Sequence, residues 1–161
     1  MKRTNVLMAI MLFFAFGTIT SHAGTVQKPP KDVAMLPDLT VKLKLKTKKH
    51  TNSKGVICYS LQPIYTVTNN GMLSAKNFRV KLEWKWPKKT NWEACSFLPN
   101  NSLGPGKSRT WGPTAVEEIH WCVGDTGKAG FRVTADDQNK VAEKKENNNT
   151  ATKLFPTWSV K

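Results

Sequence analysis

The chain has 161 residues, with 25 Lys and Arg against 11 Asp and Glu, for a formal charge of +14. That length suits one domain with a sizeable core, and so positive a balance attracts anionic surfaces such as lipopolysaccharide, teichoic acid, phospholipid or nucleic acid without naming one of them. The three cysteines, Cys58, Cys95 and Cys122, form no C-x-x-C pair, which argues against a structural metal site.

Lys2 and Arg3 form a short basic region, residues 6–16 are almost purely apolar, and Ser21 and Ala23 place small residues at positions −3 and −1 before Gly24. This is the layout of a secretory signal peptide. The apolar run of roughly 11 residues falls short of the about 20 that a bilayer span needs. The expectation is that residues 1–23 are removed on export to the periplasm or cell surface. The charge then falls to +12 with the loss of Lys2 and Arg3, and no stable membrane insertion remains. Residues 24–36, with Pro29-Pro30 and no periodicity, read as a flexible leader. Residues 37–156 read as the domain and 157–161 as a tail.

From Leu39 the sequence alternates: Leu39, Val41, Leu43 and Leu45 on one face, Thr40, Lys42, Lys44 and Lys46 on the other. Period two marks a half-buried strand, and a lysine row on an edge strand discourages aggregation. A second strand is predicted near residues 64–68, ending at Asn69-Asn70-Gly71, where Asn and Gly tolerate positive φ. In the third, Phe78, Val80, Leu82, Trp84 and Trp86 alternate with Arg79, Lys81, Glu83 and Lys85, and Pro87 ends it. A weaker strand is expected over residues 91–98. The turn Leu103-Gly104-Pro105-Gly106 leads to another at 108–111.

Residues 112–128 show no clean period. Phe131, Val133 and Ala135 then alternate with Arg132, Thr134 and Asp136, and a final strand is placed at 151–155. About seven short strands with turn signals between them predict an all-β antiparallel sandwich. Its predicted interior is Leu39, Val41, Leu43, Val67, Phe78, Val80, Leu82, Trp84, Phe131 and Val133.

Several runs carry a family likeness: Pro37-Asp38-Leu39-Thr40-Val41, then Tyr65-Thr66-Val67-Thr68-Asn69-Asn70-Gly71, then the turn at Leu103-Gly104-Pro105-Gly106. The closing stretch is the most specific, with Asp136, Asn139, Val141 and Ala142 leading to Glu143, Glu146 and Asn148-Asn149-Thr150-Ala151. In that order they resemble the cell-adhesion-related domain found in bacteria (CARDB), an immunoglobulin-like sandwich. The resemblance covers nearly all of the chain after the leader. It implies the fold, and a spacer or binding module of surface proteins. Family domains often stand as repeats, whereas a solitary one is expected here, with the six Trp, the three Cys and an insertion over residues 112–128 as extras.

The carboxylates Asp136, Asp137 and Glu143 can serve a tight turn or offer oxygen ligands to Ca²⁺. The spacing fits no calcium loop and Lys140, Lys144 and Lys145 are interleaved, which favours the turn. In an immunoglobulin-like sandwich Cys58 and Cys122 lie at the same end on facing sheets, the geometry of a cross-sheet disulfide. The competing pair is Cys95–Cys122.

No G-x-S-x-G, H-E-x-x-H or phosphate-binding glycine loop is present, and His120 beside Cys122 lacks an evident third group to orient it. The expectation is a protein that is not an enzyme, with no catalytic residue, metal or cofactor. Trp92, Trp111 and Trp121 are candidate contacts to a protein or cell-surface glycan. Arg79, Lys81, Lys85 and Arg132 form a basic sheet face if the third and sixth strands share a sheet. That face offers a rival function, electrostatic binding of an anionic envelope polymer or nucleic acid.

Overall fold

A computed structural model describes residues 35–112 and 117–156. The predicted signal peptide, most of the leader and the tail lie outside the described residues. The described residues form eight strands and no α-helix. The first sheet is built on a long hairpin, β1 (Leu39–Thr51) with β2 (Ile57–Asn69), turned where Asn52 Oδ1 accepts from the backbone of Lys54 at 2.9 Å and Val56 at 3.0 Å. The second sheet runs β4 (Glu93–Leu103), β3 (Ala75–Lys85), β7 (Ala129–Ala135), β8 (Thr150–Phe155), all antiparallel. Two short strands, β5 (Ser108–Trp111) and β6 (Ile119–Cys122), dock end to end on the second edge of β2.

That arrangement explains two departures from expectation. The second strand begins seven residues earlier than position 64, at Ile57. The added stretch contains Pro63, and proline has no N–H for a central ladder. It stands between Leu61 and Tyr65, where β6 has ended and β5 has not begun, so on that edge no partner strand asks for the missing donor. The eighth strand is β6, which lies in the stretch without a clean period. Ile119 and Trp121 point inward and are buried, while His120 and Cys122 do not reach the core. Four residues are too few to establish a period.

The core lies between the sheets. Leu39, Leu61, Val67, Phe78, Phe131 and Val133 are fully buried, and Val80 and Leu82 nearly so. Val41 and Trp84, placed inside by alternation, are only half-buried against this core. Asn69 ties one end together with no exposure at all. Its Oδ1 accepts from Asp38 N at 3.1 Å and Gly71 N at 3.0 Å, while Nδ2 donates to Leu73 O at 2.7 Å and Leu103 O at 3.0 Å. Gly71 must be glycine, because a Cβ there would lie 2.2 Å from Leu36 O.

Cys58 and Cys122 are bridged, as expected over Cys95–Cys122. The geometry differs from the expected one. They are register partners on adjacent strands β2 and β6 of one sheet, with Cα atoms 4.0 Å apart, and do not cross between sheets. Cys95 is free and half-buried, its thiol pushed up to about 12 by burial and by the Glu117 charge.

Candidate binding face

β3 and β7 are register neighbours, Glu83 opposite Arg132. The shared sheet required for the basic face therefore exists, and it gathers Arg79, Lys81, Lys85 and Arg132 on one side. Its charges are largely spoken for. Arg132 forks onto Glu83, Nε to Oε2 at 2.7 Å and Nη2 to Oε1 at 2.9 Å, and Lys81 Nζ adds a contact at 3.3 Å. Glu83 is 6% exposed although its strand position faces outward. The Arg132 hydrogen bond holds its carboxyl below the usual carboxylate range against the opposing cost of burial. Arg79 forks onto Asp137 in the same way, at 2.8 and 2.6 Å.

Each guanidinium also lies over an aromatic ring. Arg132 sits 4.9 Å from the Trp92 centroid and Arg79 4.5 Å from that of Phe97. The same unit, ring on guanidinium on carboxylate, is thus built twice on one sheet face. Planar Arg suits both contacts, and the fork fixes the plane that the ring covers. Phe97 was not singled out in the sequence. No sequence signal marks it: only the structure places it opposite Lys81, with 47% of its surface exposed. Lys85 has no ion pair among the described residues. It lines a concavity of about 290 Å³ with Lys88, Lys89 and Lys128.

The other two candidate tryptophans lie elsewhere. Trp111 stacks on Tyr65 in the first sheet, centroids 5.5 Å apart, with Arg109 at 5.1 Å. Trp121 is register partner to Tyr59 and only 5% exposed, its indole N–H donating to Gly127 O at 3.2 Å. Tyr59 and Tyr65 are six residues apart on β2, so Trp111 and Trp121 are separated by about 20 Å at strand rise. The three tryptophans do not form one site.

The closing carboxylates are engaged in holding the chain. Asp136 accepts from the backbone of Lys140 and Val141 at 3.0 and 2.7 Å. Glu143 accepts from Leu39 N at 2.6 Å and Asn149 Nδ2 at 2.9 Å, and burial raises its pKa to about 7. Among the described residues no three His, Cys, Asp or Glu side chains assemble as a metal-binding group.

His120 does have neighbours that the sequence did not reveal. Ser60 Oγ lies 3.2 Å from Nδ1 and Glu118 Oε1 lies 3.6 Å from Nε2. Serine, imidazole and carboxylate thus meet on the outer face of the first sheet. Acyl transfer would also need a pair of donors aimed at a developing oxyanion. Ser60 and His120 are themselves register partners in the β2–β6 ladder, whose backbone groups pair with each other.

The family model for CARDB matches residues 36–153. No curated protein matches the chain. Among solved structures, the crystal structure of the CARDB domain of the PF1109 protein from Pyrococcus furiosus, in complex with di-metal ions, is 26% identical. The alignment covers 74% of this chain and 86% of that one, with a TM-score of 0.48. A solution structure of the same Pyrococcus furiosus domain is 25% identical, with 74% and 93% covered and a TM-score of 0.49.

Proposed function

The chain belongs to the CARDB family of immunoglobulin-like domains, associated with adhesion-type roles, and from that premise we propose an exported, non-catalytic module that binds a protein or surface glycan of the bacterial envelope. The observation that carries this reading is the doubled unit on the second sheet, Trp92–Arg132–Glu83 and Phe97–Arg79–Asp137. Rings immobilised before binding lose little entropy when a partner packs on them, and ion-paired guanidinia add little net charge. The Cys58–Cys122 bridge supports export, since disulfides persist in oxidising compartments.

The rival reading, an electrostatic binder of anionic polymer or nucleic acid, draws on Lys85, Lys88, Lys89 and Lys128 around one concavity. Retention of the protein on purified cell-envelope fractions at low and high salt separates the two. Retention that survives salt and is lost in Trp92→Ala supports the aromatic face. Retention that collapses with salt and ignores Trp92 supports the lysines.

A further inference from the structure

β1 ends the first sheet and β8 ends the second. Along these two edges runs a groove of about 560 Å³, where Leu43, Leu45, Leu154 and Phe155 line the wall with Lys42, Lys44 and Lys153. No acidic residue lines it, and none of the three lysines is ion-paired among the described residues. Phe155 also lines a second cleft of about 250 Å³, shared with Tyr59, Trp121, Val123 and Pro156. The Phe155 ring centroid lies 5.1 Å from that of Tyr59 and 5.5 Å from that of Trp121, and Val123 leaves 54% of its surface exposed. Phe155 is thus a wall common to both cavities. One end is cationic, the middle is apolar, and the far end carries a single carboxylate, Asp125.

We infer that the two cavities act as one groove past Phe155 and bind a single-chain anionic amphiphile. The acidic head sits at Lys42, Lys44 and Lys153, and the chain passes Phe155 to lie over Tyr59 and Trp121. Charge sets the orientation, because Asp125 repels an acidic head from the aromatic end. Burial of the hydrocarbon supplies the main driving force, in proportion to the apolar area covered. Edge lysines alone have a simpler use, preventing strand-to-strand aggregation. That use does not account for the apolar cleft beside them, walled by Phe155 and Tyr59 with Val123 exposed at its edge. A second copy of the chain fits worse, since pairing at β1 would set two lysine rows side by side.

The test uses the form beginning at Gly24, which holds every described residue, titrated calorimetrically with dodecanoate, dodecanol and dodecyltrimethylammonium below their micelle concentrations. Dodecanoate should bind at least about tenfold tighter than the other two, as a few exposed charge contacts provide. The triple variant Lys42→Gln, Lys44→Gln, Lys153→Gln changes only exposed side chains, and should lower dodecanoate affinity about tenfold while leaving dodecanol unchanged. A dodecanoate brominated at its far end should quench tryptophan emission, and less so in Trp121→Phe. Equal binding of all three probes overturns the inference. So does uptake on phosphatidylglycerol vesicles with no binding of monomeric dodecanoate, which would make the lysines a membrane-surface contact.

Discussion

Cys58 and Cys122 are cross-strand partners whose bridge staples β6 to β2, at a sequence separation of 64. β6 is otherwise held in its sheet by only four register pairs. The chain-entropy model gives about 4 kcal/mol for a loop of this size, and native bridges contribute about 2–5 kcal/mol. The double variant Cys58→Ser, Cys122→Ser should therefore melt about 10 °C or more below the parent in calorimetry. A shift within about 2 °C would mean that the ladder alone holds β6.

Asn69→Ala should be among the most damaging changes in the protein. It strips partners from four backbone groups, Asp38 N, Gly71 N, Leu73 O and Leu103 O, at a residue with no exposure. Leaving even one or two buried groups unsatisfied costs about 1–3 kcal/mol each. Urea unfolding should show a loss of about 3 kcal/mol or more, with Asn69→Asp intermediate because it keeps the acceptor and loses the donor.

Glu143 makes stability depend on pH in an uncommon direction. Burial, with Glu146, Asp136 and Asp38 nearby, raises its pKa from 4.5 to about 7. Across that window the unfolded chain has released the proton and the folded protein still holds it, so stability falls as pH rises. Thermal midpoints of the parent minus those of Glu143→Gln should decline from pH 5 to pH 8. Glu83 acts oppositely and lower: Arg132 depresses its pKa, so its contribution is lost only as pH drops below 4.5. A difference that stays flat from pH 5 to pH 8 would show that Glu143 is already ionised in the folded state.

Cys95 should be nearly inert. With its thiol pushed up to about 12 by burial, the reactive thiolate is scarce at pH 8. Labelling by a chromogenic disulfide reagent should run at least about a hundredfold slower in the native protein than in urea. Rapid native labelling, or a Cys95-linked dimer, would show that the thiol is open to partners.

Much of the fold was legible because long alternating strands declare themselves. β3 and β7 each present several apolar residues at period two, and β5 was bounded correctly at Ser108–Trp111 by the turn before it. What stayed hidden depends on partners far along the chain. Glu83 reads as an outward charge, and only Arg132, 49 positions away, explains why it is buried. Phe97 reads as an unremarkable hydrophobe until Arg79 lies over it. The bridge was assigned to the right cysteines on a cross-sheet geometry that the structure replaces, because the docking of β6 beside β2 leaves no period in four residues.

β2 shares one edge between two strands that come from different distances. β1 reaches it across the turn at residues 52–56, a closure that takes microseconds. β5 and β6 must return over some forty to sixty positions, which include the whole of β3 and β4. Loop-closure entropy thus favours the hairpin ahead of the docking of β5 and β6 on it. The thiols of Cys58 and Cys122 meet only once β6 has docked. An oxidant acting earlier would find Cys58 and Cys95 already synthesised and Cys122 still distant, so the wrong pair is the one a premature oxidation would trap.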